Sequence, residues 1–179
     1  MTITISLPPW LQQLNAPQHF DSMAAAMKLA IAAARRNSLE GGGPFGAAVV
    51  DENLELVSLG VNLVIPAGSS IFHAEMVALL LAEQKLGSHS LAARGNFTLL
   101  TSCEPCAMCF GALPFAGIAH VVCAATTADA QAIGFDEGDK PECWQDSLKK
   151  RGIAVTTGLL RSDAVAVLDQ YRSSGGRLY

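Results

Sequence analysis

The sequence predicts an α/β protein, a three-layer α/β/α sandwich with a mixed central sheet. Helical and strand-like segments alternate along most of the chain, which is typical of a sheet covered by helices on both faces. The chain has 179 residues, of which 50% are hydrophobic, enough for one domain with a sizeable core. We expect this domain to span residues 19–179, with residues 1–18 as a proline-marked N-terminal arm.

The predicted elements begin with a helix from about Asp21, in "DSMAAAMKLAIAAARRNS", where Asp21 is a candidate cap and arginines occupy the last turn. The glycine-rich "LEGGGP" ends it. Next come two strands, "FGAAVVD" and "LELVSLGVNLV", joined by a short polar turn. "HAEMVALLLAEQKLG" is then predicted to be a helix that ends at Gly87.

The second half of the chain repeats this alternation. "NFTLLTSC" is a predicted strand, and a helix is expected to begin directly after it at Pro105, because proline suits the first helical position. "IAHVVCAATT" and "IAVTTGLL" are predicted strands, and "DSLKKRG" closes a short helix between them. "SDAVAVLDQYRSS" is the last predicted helix.

Composition argues against several classes of function. The net charge is −4, and no long basic run is present, so we expect no nucleic-acid partner. The N-terminus lacks a signal-peptide pattern, and the apolar helix is too short to cross a bilayer, so we expect a cytoplasmic protein without a membrane partner. Only 16% of residues are charged, which favours a homodimer with an apolar contact surface.

Three of the five cysteines lie in "TSCEPCAMCF". With a helix starting at Pro105, Cys106 and Cys109 share one face of its first turns, near the positive end of the helix dipole, where thiolates are favoured. Cys103 lies on the preceding strand, and we interpret it as a small buried hydrophobic residue. A ferredoxin-like cluster needs a fourth thiolate, which the following residues do not supply.

A zinc site needs four ligands, so the two thiolates need partners. His73 is the strongest candidate, because it opens a helix after the loop "PAGSSIF" and Glu75 follows two positions later. An H-x-E triplet joined to P-C-x-x-C is the signature of zinc nucleobase deaminases. We therefore predict that His73, Cys106 and Cys109 hold one Zn²⁺ per subunit. Water would take the fourth position, and Glu75 would act on it as general acid and base.

On "HAEMVAL", "CEPCAMCFGAL" and the order of elements from residue 21 to 172, the chain resembles the cytidine-deaminase-like superfamily of zinc-dependent deaminases. Four further stretches are similar to the bacterial guanine deaminases within it: "GGPFGAAVV", "GVNLVIP", "AIGFDEG" and the final "RLY". The resemblance implies hydrolysis of a free aminated nucleobase, guanine to xanthine plus ammonia. It also implies a homodimer in which C-terminal segments can be exchanged between subunits.

The resemblance also implies roles for individual residues. Asn62 would hydrogen-bond the purine, and Phe45 would pack near its ring. Glu137 would relay protons to the leaving amine, with its neighbour Asp136 as the alternative. Ala74 is assigned to substrate binding, and Tyr179, in a C-terminal tail that caps the active site, is a candidate lid residue.

Several alternatives stay open at this level. A tRNA adenosine deaminase has nearly the same zinc motifs, and cytosine or an aminated triazine satisfies the same chemistry. A protein of a different class, with a structural zinc site, would need Cys123 or Cys143 as its fourth ligand. The glycine run "GGGPFG" follows a helix and precedes a strand, the reverse of the order in a dinucleotide-binding loop, so we discard that interpretation.

Overall fold

The computed structural model describes residues 5–179, so the first four residues of the predicted arm lie outside the described part of the chain. These residues contain one five-stranded sheet, with strands β1 Gly46–Val50, β2 Leu56–Val61, β3 Thr98–Cys103, β4 His120–Ala125 and β5 Ala154–Thr156. The strand order is β2-β1-β3-β4-β5. β1 runs antiparallel to both its neighbours, whereas β3, β4 and β5 are parallel. The predicted mixed sheet is therefore confirmed.

Eight α-helices are found within residues 5–179: α1 Pro9–Leu14, α2 Met23–Leu39, α3 Val64–Ala67, α4 Ala74–Leu86, α5 Ala107–Ala116, α6 Thr127–Ala132, α7 Trp144–Lys149 and α8 Arg161–Ser173. The apolar residues of α2 and α8 pack in one core cluster, and those of α4, α5 and α7 pack in a second. Helices thus cover both faces of the sheet, and the three-layer sandwich is confirmed. None of these helices is long and apolar enough to cross a membrane.

The structure corrects two predicted helix starts. Helix α2 begins at Met23, and its cap is Ser22, whose side chain accepts a hydrogen bond from the Ala25 N–H, so the prediction of Asp21 as cap was wrong. Helix α5 begins at Ala107, two residues later than the predicted Pro105, because Cys106 keeps an extended backbone with ψ of 174°. Cys106 therefore caps the helix instead of lying in its first turn.

The described part of the N-terminal arm is ordered against the sheet. Trp10 and Leu11 of α1 are buried. The Asn15 side chain donates to the Leu59 carbonyl (2.9 Å) and accepts from the Leu59 N–H (2.6 Å). This amide pairs with the edge strand β2 as a neighbouring strand would, and it protects that edge.

Close contact between α4 and β2 positions the helix that carries His73. Gly60 of β2 faces the backbone of Ala74 and Ala78, and any side chain at this position would collide with both. Glycine is thus required for the helix to lie directly on the strand. The first turn of α4 consequently lies beside the C-terminal end of β2, where Asn62 follows.

Candidate metal centre and active site

Two helix N-termini bring the three predicted metal ligands together. His73 caps α4, Cys106 caps α5, and Cys109 lies one turn into α5. One ligand atom from each of the three residues lies within 4.8 Å of the others. The Cys106 Sγ and His73 Nδ1 are 3.4 Å apart. Residues distant in sequence therefore form one compact cluster of a nitrogen and two sulfurs.

The donor set fits zinc with an open coordination position. Zinc prefers imidazole and thiolate ligands in a tetrahedral arrangement, and catalytic sites provide three protein ligands where structural sites provide four. Cys123 is buried in β4, and Cys143 is exposed at the start of α7. Within residues 5–179 neither joins the cluster, so the four-ligand structural site is not formed there.

The two sulfurs differ in how readily they lose a proton. A hydrogen bond from Cys109, together with His73, lowers the pKa of Cys106 to about 4 despite its burial. That same hydrogen bond and burial raise the pKa of Cys109 well above its usual value. Cys106 is thus the sulfur prepared to bind a cation, and metal binding releases the Cys109 proton.

Glu75 lies beside this cluster, inside the protein. Its Oε1 accepts a hydrogen bond from Thr101 Oγ1 of β3 (3.2 Å), and its Oε2 lies 3.5 Å from Cys109 Sγ. Burial raises the pKa of Glu75, which brings a carboxyl group closer to the range useful for proton transfer near neutral pH. Thr101 orients the carboxylate.

A small cavity opens next to Glu75 and the metal ligands. Its volume is only about 30 Å³, room for roughly two water molecules. It is lined by Phe45, Asn62, His73, Glu75, Cys103, Glu104, Cys106, Phe135, Asp136, Glu137 and Tyr179. The structure thus brings together at one cavity all but two of the site residues predicted from sequence. Cys109 and Ala74 are not among the lining residues, and the side chain of Ala74 packs in the second core cluster.

Glu137 presents a buried carboxyl group to the cavity from the loop after α6. Its backbone carbonyl accepts a hydrogen bond from the Ala107 N–H (2.9 Å), which ties the loop to the start of α5. Within residues 5–179, Glu137 Oε2 is the one buried side-chain oxygen or nitrogen without a hydrogen-bond partner. Burial raises the pKa of this carboxyl group to about 8. A polar ligand in the cavity would satisfy the unpaired oxygen.

Asp136 is placed differently from its neighbour. Its side chain is exposed, and Oδ1 accepts a hydrogen bond from the Gly138 N–H (2.8 Å). The carboxylate therefore stabilises the turn around Glu137, although the residue also borders the cavity.

Asn62 and three aromatic residues also line the cavity. Asn62 is 1% exposed, and its Oδ1 accepts from the Val64 N–H (3.2 Å). The ring of Phe135 contacts the rings of Phe45 and Tyr179 edge-on, at centroid distances of 4.9 and 5.2 Å. Tyr171 holds the C-terminal tail in place by donating to the Arg177 carbonyl (2.6 Å). The tail lies over the cavity of its own chain.

The sequence did not identify two residues of the site: Thr101, which binds the Glu75 carboxylate, and Phe135, which lines the cavity. Thr101 is a polar residue inside a strand that is otherwise predicted to be buried, which is a weak signal. Phe135 lies in "AIGFDEG", two residues before Glu137. Cys103 is 3% exposed, as expected of a small buried residue, but it also borders the cavity.

Comparison with known proteins agrees with this geometry. A family model described as the cytidine and deoxycytidylate deaminase zinc-binding region matches residues 21–125. The solved structure of a guanine deaminase from Nitrosomonas europaea is 45% identical, with a TM-score of 0.94, and the match covers 96% of this chain and 97% of that one.

Two curated relatives are less similar. Guanine deaminase from Bacillus subtilis is 39% identical over 106 residues, which is 56% of this chain and 65% of the relative, so the chain spans just under two thirds of its length. A tRNA-specific adenosine deaminase from Haemophilus influenzae is 28% identical over 81% of this chain and 80% of the relative. The cluster of three candidate metal ligands, the fold and these matches lead to one conclusion: the chain belongs to the cytidine and deoxycytidylate deaminase family of zinc-dependent enzymes.

Proposed function

We propose that this enzyme hydrolyses guanine to xanthine and ammonia. The observation that carries the proposal is the cavity itself, which combines three side chains able to hold a metal, the Glu75 carboxyl group and the unpaired Glu137 oxygen beside aromatic rings. A flat heterocycle with an exocyclic amine matches these features, because its faces suit the aromatic rings and its edge suits the polar groups. The similarity to guanine deaminases over nearly the whole chain supports guanine as that heterocycle.

The proposed reaction forms a bond between a water oxygen and C2 of guanine and breaks the bond from C2 to the amine. When bound, zinc supplies Lewis-acid activation of water near neutral pH. Glu75 takes a proton from the attacking water and gives it to a ring nitrogen. Thr101 holds one carboxylate oxygen, and Cys109, once a deprotonated ligand, no longer donates to the other. That oxygen is then free to accept the proton.

The remaining side chains hold the base and help the amine to leave. Asn62 hydrogen-bonds the purine edge, and Phe45 packs against the ring. Glu137, whose carboxyl group burial keeps protonated near neutral pH, donates a proton to the departing amine. As the C2 carbonyl forms, the proton of the new hydroxyl group passes to the Glu137 carboxylate and restores its protonated form, so that ammonia and xanthine are the only products.

The C-terminal tail has the role of a lid in this proposal. With Tyr179 in place, the cavity of about 30 Å³ is far smaller than a purine, so the tail must move before a base enters. The contacts that opening must break include the Tyr179 ring on Phe135 and a hydrogen bond between Tyr179 and the Asn62 side chain. The Tyr171 hydrogen bond to the Arg177 carbonyl anchors the start of the tail.

The direct test is ammonia release from equal concentrations of guanine, cytosine, adenine and an aminated triazine by the zinc-loaded enzyme. We expect kcat/KM for guanine to exceed that for the other bases by about 10² or more, because a polar pocket strongly rejects a mismatched edge. Faster release from another base, or none from guanine, would refute guanine as the substrate.

The tRNA alternative has less support. The net charge is −4, whereas an RNA-binding surface needs basic residues, and the cavity is closed by the tail. A gel-shift titration with tRNA, together with a deamination assay on the same tRNA, distinguishes a guanine deaminase from a tRNA adenosine deaminase. We expect no specific complex, and deamination of a tRNA adenosine would contradict this expectation.

We also propose that the enzyme is a homodimer. Phe115 and Ile71 are 81% and 54% exposed, and both border an apolar groove between α4 and α5 that a second copy would cover. Sedimentation of the parent and of Phe115→Glu tests this, with a dimer expected for the parent and monomers for the variant. Exchange of tails between the two copies stays a prediction.

A cytoplasmic location completes the proposal. Two thiols must stay reduced to bind the metal, and the cytoplasm keeps thiols reduced. Cell fractionation with immunodetection is the measurement, and recovery of the protein in a membrane or exported fraction would contradict it.

A further inference from the structure

Asn37 is a buried polar residue that the proposed reaction does not use. It lies near the C-terminal end of α2 and is 2% exposed. Its side-chain nitrogen donates two hydrogen bonds, to the Gly43 carbonyl (2.9 Å) and to the Asn62 carbonyl (2.8 Å). One amide group thus holds two backbone segments that are nineteen positions apart (Asn62 and Gly43).

Those two segments carry the substrate side of the cavity. The Gly43 N–H donates to the Asn62 carbonyl (3.3 Å), and the Asn62 N–H donates to the Phe45 carbonyl (3.1 Å). Asn37 adds the bonds that connect this pair of segments to the rigid helix α2. The backbone of Asn62 therefore has three hydrogen-bonding neighbours that fix where its side chain begins.

The glycine run before β1 makes room for this arrangement. A side chain at Gly42 would collide with the Asn37 amide, and one at Gly43 would collide with the Asn62 side chain and the Tyr179 hydroxyl. Close packing thus explains Gly42 and Gly43 in "GGGPFG", a run that does not fit a dinucleotide-binding loop. Gly42 provides space for Asn37, and Gly43 provides space for the tip of the tail.

We propose that Asn37 is a positioning residue that sets the orientation of Asn62 toward the base, an inference that rests on the proposed function. Asparagine suits the task because a single NH₂ group has two donor hydrogens for two carbonyls. Aspartate would face both carbonyls with acceptors alone, and alanine would leave both carbonyls without this donor. Since Asn37 touches neither the metal ligands nor the cavity, its loss should weaken base binding and leave the chemical step nearly intact.

A double-variant cycle tests this role. We expect Asn37→Ala to raise KM about 10-fold with kcat reduced less than about 3-fold, since binding is lost without loss of transition-state contacts. Asn62→Ala keeps the backbone carbonyl but removes the side chain that contacts the base. Adding Asn37→Ala to Asn62→Ala should then change KM by less than about 2-fold, because residues that act through one another are not additive. Zinc content should stay at one per chain in all variants.

Two matched controls separate positioning from a general loss of stability. Asn15 also donates two hydrogen bonds from its amide, to Leu11 and Leu59, but lies on the far side of the sheet edge. Asn15→Ala should lower the melting temperature and leave KM unchanged. Gly42→Ala should displace the Asn37 amide and raise KM as Asn37→Ala does, and it serves as the second variant if Asn37→Ala does not fold. Gly111→Ala, inside α5 and with open space around it, should leave KM unchanged and raise the melting temperature slightly, because alanine is the better helix former.

The parent enzyme is measured first, so that a failure of the proposed function can be distinguished from a failure of the proposed role of Asn37. If the parent deaminates a different base, guanine is refuted as substrate, and the same variants are compared on that base. If no base is turned over, calorimetric dissociation constants for guanine replace KM. The role of Asn37 is overturned if Asn37→Ala and Gly42→Ala leave KM and affinity unchanged. It is also overturned if the effect of Asn37→Ala persists in full without the Asn62 side chain.

Discussion

The two sides of the cavity are built in different ways. The metal-binding wall comes from two short segments at helix N-termini, and it comprises His73, Glu75, Cys106 and Cys109. The recognition wall comes from four segments spread over most of the chain, and it comprises Phe45, Asn62, Phe135, Glu137 and Tyr179. Two local sequence patterns supply the first wall, although packing brings them together, whereas the second wall draws single residues from segments spread over most of the chain.

In this account the metal-binding wall carries the zinc-dependent chemistry, and the recognition wall carries most of the specificity for the base. The metal-binding wall is attached to the sheet through α4 and α5, so its ligands hold one arrangement whatever the base. The recognition wall consists of loops and a tail, of which the Glu137 loop is tied to the start of α5 by the hydrogen bond from the Ala107 N–H to the Glu137 carbonyl. Substitutions in the metal-binding wall should therefore abolish turnover. Substitutions in the recognition wall, apart from those at the proton donor Glu137, should change affinity and choice of base.

The largest expected effect is the loss of a metal ligand. Cys106→Ala removes the sulfur with the lowered pKa, and two ligands do not retain zinc. We expect zinc content near zero and turnover reduced by about 10³-fold or more, since activation of water depends on the metal. Cys143→Ala is the control, because this thiol is exposed and outside the cluster. Equal zinc content in both variants would contradict the ligand assignment.

The next largest effect is expected on kcat when Glu137, the proton donor on the recognition wall, is replaced. Glu137→Ala should keep zinc and lower kcat by about 10²-fold, the contribution of a positioned general acid. Asp136→Ala should lower kcat far less, because the Asp136 side chain is exposed and stabilises a turn. Metal analysis and steady-state kinetics on both variants are the measurements. A larger loss in Asp136→Ala would transfer the relay role to Asp136.

A smaller effect is expected from the tail. Deletion of Leu178 and Tyr179 removes the aromatic contact with Phe135, which is worth about 0.5–1.5 kcal/mol for such a pair. KM for guanine should rise about 3- to 10-fold, with zinc content unchanged. Tyr179→Phe retains the ring and should lie between the parent and the deletion. An unchanged KM in the deletion variant would contradict the proposal that the tail acts as a lid.

The smallest effect on activity is expected at Asp129, outside both walls. Two hydrogen bonds from Arg161 lower the pKa of this carboxylate to about 2. A lowered pKa contributes stability that is present above the unfolded value of about 3.9 and lost as pH falls toward 2. Asp129→Ala should keep kcat/KM and lower the unfolding free energy at pH 7 by about 1 kcal/mol, as expected when one half of the capping box that Asp129 forms with the N-cap residue Thr126 is lost.

Thermal unfolding between pH 2 and 5 checks the sign of this effect. The difference in melting temperature between the parent and Asp129→Ala should shrink as pH falls through this range. A difference that stays constant or grows on acidification would show that the carboxylate charge is not the source of the stability.

The contrast between the two walls also explains which parts of the site the amino-acid sequence could predict. The ligands were found because His73–Glu75 and Cys106–Cys109 are local patterns whose spacing reports their geometry. The strands and long helices were found because apolar runs between turn residues report burial. The start of α5 was missed because Cys106 keeps an extended backbone as the loop carbonyl of Glu137 binds the Ala107 N–H, a contact from thirty positions away (Glu137 and Ala107).

The recognition wall was accessible mainly through resemblance to a family. Nothing near Asn37 in sequence shows that its amide holds Asn62, and nothing near Thr101 shows that it orients Glu75. Each of these contacts depends on the packing of elements that are distant along the chain. No helix was predicted at the position of α1 for the same reason, since the burial of α1 depends on contacts with β2 and Glu40.

The central claim is that Glu75 performs proton transfer beside a metal that it does not hold. The most direct measurement is zinc content and ammonia release from guanine, made on the same preparation of Glu75→Gln. We predict one zinc per chain and a rate lower than that of the parent by about 10²- to 10⁴-fold. A zinc-loaded Glu75→Gln enzyme that releases ammonia at the parent rate would contradict the account.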